Sequence, residues 1–215
     1  MTFESFTASE RKVLARLNTP AKIQDYLDSL PMNFSDQDPC LSVHGVLSKR
    51  TAHCMEGALL AAAALWFHGR LPLLLDLTTT PHDEDHVVAV FTEGLGSNKR
   101  YGAISKTNHA VLRFREPVYK NVSELAMSYF HEYFLFSGEK TLRTYSTKPF
   151  DLSRPEIIKL NWLTNQDGLM ELIDRMASAP HSEILTKQQI KNLRKANLIE
   201  IKAGKLTEWS RSSKH

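Results

Sequence analysis

A cysteine at the mouth of an apolar helix, followed by a histidine at the start of a strand, has the makings of thiol catalysis. Cys54 stands in Thr51-Ala52-His53-Cys54-Met55-Glu56-Gly57, and Ala58 to Phe67 then contain no polar residue. Thr51 is a capping type, which puts Cys54 at about the third helical position, and His68-Gly69 supplies a stop. A thiol there faces unpaired backbone N–H groups and the positive end of the helix dipole, and both favour the nucleophilic thiolate. An apolar strand, Leu71 to Leu77, and an acidic loop come next. A second strand-like run, His86-Val87-Val88-Ala89-Val90-Phe91, opens on a histidine that could take the thiol proton.

An imidazole in this role needs a group to orient it. Three residues qualify by type and place. Ser105 and Asn108 follow the third strand-like run, Tyr101 to Ser105, and Asp76 lies near the end of the first. Asn108 suits the role chemically. A serine hydroxyl holds a tautomer but brings no charge to stabilise imidazolium. Beside them Lys106, Arg113 and Arg115 form a basic cluster that could clamp a substrate carboxylate or phosphate, or simply be solvated.

Metal chemistry is the competing use of the histidines. His82 and His86 have the i, i+4 spacing of zinc-binding helices, but Pro81 before them and the apolar run after them indicate loop leading into strand, where these side chains diverge. Cys40, His44 and His53 are irregularly spaced for a zinc site. No metal and no cofactor is expected.

From about Arg50 to Thr107 the chain resembles the transglutaminase-like family of the papain-like cysteine protease superfamily. Cysteine at a helix N-terminus, histidine opening a strand and a polar residue on the next strand carry the resemblance. Tyr101-Gly102-Ala103-Ile104-Ser105-Lys106-Thr107 follows the outline of that family's aromatic-x-x-Leu-Asp-Pro-Thr element, with Ser105 where aspartate is usual. Met55 follows the cysteine where an aromatic residue is usual. The phrases Asn18-Thr19-Pro20-Ala21-Lys22-Ile23-Gln24 and Glu116-Pro117-Val118-Tyr119 are similar to those of an uncharacterised bacterial branch. The resemblance implies an α+β fold, with an antiparallel sheet packed on the cysteine helix and extra helices from both termini. It also implies Cys54 and His86 as the catalytic pair and leaves the third role open. Papain-like enzymes add an oxyanion-hole glutamine upstream of the cysteine. Here the backbone N–H of Cys54 could serve as one donor, and the nearest upstream glutamine is Gln37.

The supporting elements are read from pattern. Helices are expected over Thr7 to Leu17, Ala21 to Leu30, Val122 to Phe136, Pro155 to Trp162 and Leu169 to Ala177, with a polar loop over 32 to 50. Thr186-Lys187-Gln188-Gln189 reads as a capping box. Leu198 to Lys202 and Lys205 to Trp209, flanking Ala203-Gly204, read as a hairpin, so the end resembles a winged-helix module. A core over 1–150 and an extension over 151–215 packed on it are expected. The formal charge is +3, but the stretch from His181 onward holds eight Lys or Arg against three Asp or Glu. Such a tail can meet nucleic acid, though a solvated or core-packing face is the expectation. Two cysteines make no disulfide framework. No apolar run is long enough to span a bilayer and no signal peptide is visible, so a cytoplasmic protein is expected. The composite expectation is a cysteine-dependent hydrolase or acyltransferase acting on a peptide or small amide. The alternatives are an inactive binding protein on the same fold and a nucleic-acid-binding tail.

Overall fold

A helix apolar on every side must be buried on every side. In the computed structural model, which describes residues 3–35 and 40–210, this is the fate of α4 (Cys54–Phe67). Ala58 to Ala64 have no exposed surface. Helices α1 (Ala8–Arg16), α2 (Pro20–Asp28) and α3 (Val43–Lys49) pack around it, and an antiparallel sheet covers its remaining side.

The sheet is built from β1 (Leu73–Thr78), β2 (His86–Glu93), β3 (Arg100–Ile104), β4 (Arg115–Tyr119), β5 (Thr144–Ser146), β6 (Phe150–Asp151) and β7 (His181–Glu183). The order is β4-β3-β2-β1-β5-β7, with β6 also pairing β1, and every pairing among these strands is antiparallel. The fold is therefore α+β. Strand side chains alternate between faces. Leu74, Val87, Ala89, Phe91 and Ile104 face α4, while Leu75, Leu77, Val88, Val90 and Ala103 join a second core under α5 (Val122–Phe130). The described residues beyond 151 belong to the same body. The segment α6 (Pro155–Ile158), Trp162 and α7 (Leu169–Ala177) contributes to the α4-side core, and β7 extends the sheet.

Four expectations need correction. The loop expected over 32–50 contains α3, capped by the Ser42 hydroxyl. The helices expected over Val122 to Phe136 and Pro155 to Trp162 stop at Phe130 and Ile158. The hairpin expected near the C-terminus is absent, because Leu198–Gly204 is a helix, α9. Asn197 caps it and Glu200 completes a capping box, which outweighs the strand propensity of Ile199 and Ile201. With α8 only Lys187–Lys191, no winged-helix pair forms among the described residues.

The start of α4 is fixed from two sides. A Cβ added to Gly57 would lie 2.4 Å from the Cβ of Lys106, so glycine permits the helix to touch the chain just after β3. Opposite, the Glu56 carboxylate, with no exposed surface, accepts from Asn33 Nδ2 at 3.0 and 3.1 Å, from the Leu41 N–H at 2.8 Å and from the His53 N–H at 2.8 Å. One buried carboxylate thus ties the segments at 33 and 41 to the first turn that carries Cys54.

Candidate active site

Cys54 is the first residue of α4, two positions nearer the end than a Thr51 cap would place it. The cap is His53, whose Nδ1 accepts from the Met55 N–H at 3.2 Å, while Thr51 donates its hydroxyl to the Pro31 carbonyl. The Cys54 N–H has no hydrogen-bond partner among the described residues, so it is free to face a developing oxyanion.

The thiol keeps partial access to solvent but is closely surrounded. Burial pushes its pKa up to about 11, against the backbone N–H groups of Val87 and Met55, which favour thiolate; Glu84 and Glu56 add to the rise. The helix terminus therefore does not deliver a resting thiolate. The Val87 amide nevertheless places the sulfur beside the start of β2, next to His86.

His86 opens β2 opposite Leu77 and is 5% exposed. Its Nε2 lies 2.8 Å from Ser105 Oγ, and that hydroxyl donates to the Leu112 carbonyl at 2.5 Å. With its proton spent on Leu112, Ser105 accepts from His86, so Nε2 carries the hydrogen and Nδ1 keeps a lone pair. Burial, then the charges of Arg115 and His109, hold His86 down at about 4. Moving the thiol proton to the ring would thus cost about 10 kcal/mol before the two charges attract. That attraction returns about 4 kcal/mol at a 4 Å spacing and an effective dielectric of 20. The resting pair is neutral thiol and neutral imidazole.

Pleat alternation puts His86 and Ser105 on the α5 side, with Val88 and Ala103, whereas Cys54 comes from the α4 side. The two reach a common cleft of about 670 Å³ round the end of the sheet. No hydrogen bond joins the sulfur to the ring among the described residues.

Of the three orienter candidates, only Ser105 contacts His86. Asn108 spends its side chain on the C-terminal segment: Nδ2 donates to the Trp209 carbonyl at 2.9 Å and Oδ1 accepts from the Trp209 N–H at 2.8 Å. Asp76 faces His181, 3.2 Å away. The parity of β3 decides between Ser105 and Lys106. The latter points to the α4 side, where its buried Nζ donates to the Leu27 and Leu30 carbonyls at the end of α2.

The expected basic clamp does not form. Besides the sequestered Lys106, Arg113 pairs with Glu208 at 3.0 Å and Asp28 at 3.7 Å. Arg115 pairs with Glu132 at 2.6 Å and stacks on the Tyr129 ring. Both arginines already have an anion, and the lysine is held by carbonyls.

Sequence reasoning missed Gln24, which is 6% exposed. Its Oε1 accepts from the Ser105 N–H at 2.9 Å and its Nε2 donates to the Ser105 carbonyl at 2.8 Å, fixing the backbone of the residue that holds the histidine. A glutamine on an otherwise apolar helix face was the available signal. Gln37 lies outside the described residues.

Cys40, His53 and Glu56 bring one donor atom each within 4.8 Å of one another, while His44 pairs elsewhere, with Glu10. These residues do not fit a metal well. The His53 Nδ1 accepts the Met55 N–H, so Nε2 carries the hydrogen and points it toward Glu56 Oε1 at 3.3 Å. Coordination through Nε2 would shift that hydrogen to Nδ1 and break the cap.

No helix among the described residues is long and apolar enough to cross a membrane. No protein-family model matches the chain, and no curated protein matches it.

Proposed function

We propose that the chain is a cysteine-dependent enzyme of amide or acyl-transfer chemistry, built on a transglutaminase-like plan. The observation that carries this is the His86–Ser105 hydrogen bond through Nε2 at 2.8 Å. It leaves Nδ1 as the basic nitrogen of a ring lining the same cleft as Cys54. As substrate binds and the sulfur closes on Nδ1, the thiol proton moves to Nδ1 while Sγ attacks the carbonyl carbon. The Cys54 N–H faces the oxygen that gains charge. Collapse breaks the C–N bond, and the amine leaves with the proton from the ring. The resulting thioester passes its acyl group to water or to an amine.

Ser105 makes this a weak base system, since a hydroxyl fixes the tautomer without stabilising imidazolium. The same fact, with the neutral resting pair, favours the second reading: a non-catalytic protein that uses the cleft to bind a peptide or small amide.

Iodoacetamide labelling separates the two. Under the enzymatic reading Cys54 labels faster than Cys40, whose pKa burial pushes up further, and His86→Ala slows Cys54 alone. Equal slow labelling of both cysteines, unaffected by His86→Ala, would favour the binding protein.

A further inference from the structure

We propose that the acyl donor entering this cleft carries a cationic group, an ammonium or guanidinium, close to its reactive carbonyl, and that Glu84 selects it. The inference rests on the acyl-transfer reading of Cys54 and His86 and adds the substrate class.

Among the described residues four carboxylates line the cleft, those of Asp83, Glu84, Asp85 and Glu132. Three are committed. Asp83 accepts from the Thr141 hydroxyl and the Glu84 N–H, Asp85 from the N–H and hydroxyl of Thr79, and Glu132 from Arg115 and the Leu112 N–H. The Glu84 carboxylate is exposed and has no hydrogen bond or ion pair among the described residues. Its backbone is nevertheless held on both sides, because the Glu84 N–H donates to Asp83 Oδ1 at 2.9 Å and the Tyr133 hydroxyl donates to the Glu84 carbonyl at 3.2 Å. A fixed main chain thus presents a free negative side chain two residues before His86. Lys106, the one lysine lining the cleft among the described residues, has its Nζ turned to the Leu27 and Leu30 carbonyls.

The cleft is also built to take a ligand. His86, 5% exposed, lines it with an Nδ1 that has no partner among the described residues. Two aromatic residues of the lining carry cations from outside it: Lys140 and Lys205 lie over the rings of Phe134 and Phe136, at 5.8 and 4.9 Å. A ligand cation is therefore drawn to Glu84, the lining carboxylate left without a partner among the described residues.

A free carboxylate beside a nucleophilic thiol opposes thiolate in the empty enzyme, and Glu84 does so for Cys54. A cation bound against Glu84 removes that opposition as the substrate arrives. The molecule that meets the free thiol is the acyl donor, so the cation belongs to the donor and not to the group that later accepts the acyl chain.

The test is the rate of Cys54 labelling by matched peptidyl vinyl sulfones carrying lysine, norleucine or glutamate beside the warhead. Wild type, Glu84→Gln and His86→Ala are compared. The expected order in wild type is lysine, norleucine, glutamate. In Glu84→Gln the preference for lysine over glutamate falls on the order of tenfold. Equal rates for the three reagents in wild type, or an unchanged preference in Glu84→Gln, would overturn the proposal. Failure of the catalytic pair reads differently: His86→Ala then leaves every rate unchanged while Glu84→Gln still removes the preference, and Glu84 stands as the charge selector of a binding cleft.

Discussion

Replacing Ser105 with aspartate should convert the neutral support of His86 into a charged one. Ser105 Oγ lies 2.8 Å from Nε2. A carboxylate built there would have its charge roughly 4 Å from the ring, worth about 4 kcal/mol at an effective dielectric of 20. At 1.36 kcal/mol per pH unit that is about three units. The Leu112 carbonyl opposes part of it, since it now receives the Ser105 hydroxyl at 2.5 Å and would face a carboxylate instead. His86 should therefore rise from about 4 to somewhere between about 5 and 7. A ring held charged near neutrality stabilises the Cys54 thiolate, so alkylation at pH 7 should quicken. The assay is a nitrogen-15 NMR titration of the imidazole, run beside circular dichroism to establish that the variant is folded. A folded Ser105→Asp protein whose His86 still titrates near its wild-type value would refute the reasoning. It would mean that Ser105 does not control the ring.

Two further outcomes follow from the same geometry. The ring of His86 ionises at about 4 in the fold against an ordinary value of 6.5, so the unfolded chain binds the proton first. Stability should be unaffected by this group above pH 6.5 and should fall by about 3 kcal/mol as pH drops through 6.5 to 4. His86→Gln should flatten that limb of a urea-unfolding series across pH, and an identical acid limb in the variant would contradict the burial argument. Asn108→Ala should free the segment near Trp209, costing about 1–3 kcal/mol locally. Hydrogen exchange over 206–209 should rise while the His86 titration stays put; a moved titration would restore Asn108 as the orienter.

The elements closest to the chemistry were legible because their patterns are extreme. The run Ala58 to Phe67 admits only a buried helix, and the apolar strand beginning at His86 admits only a covered one. The cap was misread because Thr51 has the better capping chemistry in isolation, whereas His53 and Glu56 form a reciprocal pair that depends on three-dimensional placement. Helix α3 was hidden by its seven-residue length and its polar setting. The strands β5 and β7 are three residues each, too short for an alternation to register.

The candidate site was half legible for a related reason. Residue types singled out Cys54 and His86, which line one cleft. The choice between Ser105 and Asn108 depends on the pleat at the end of β3 and on a C-terminal segment about a hundred residues away that claims Asn108. The basic cluster looked free because its partners Asp28, Glu132 and Glu208 are distant in sequence. Gln24 stands out in the sequence only as a glutamine on an apolar helix face, and the fold alone pairs it with the backbone of Ser105, 81 residues away.

The most direct test of the central claim is acylation of the sulfur itself. Wild-type protein, Cys54→Ala and His86→Ala are incubated with p-nitrophenyl acetate, with nitrophenol release followed and the modified peptide identified by mass spectrometry. The account predicts an acetyl thioester on Cys54 that turns over, is absent in Cys54→Ala, and forms on the order of 100-fold or more slowly in His86→Ala. Acetylation that spares Cys54, or that proceeds at the wild-type rate without His86, would contradict it.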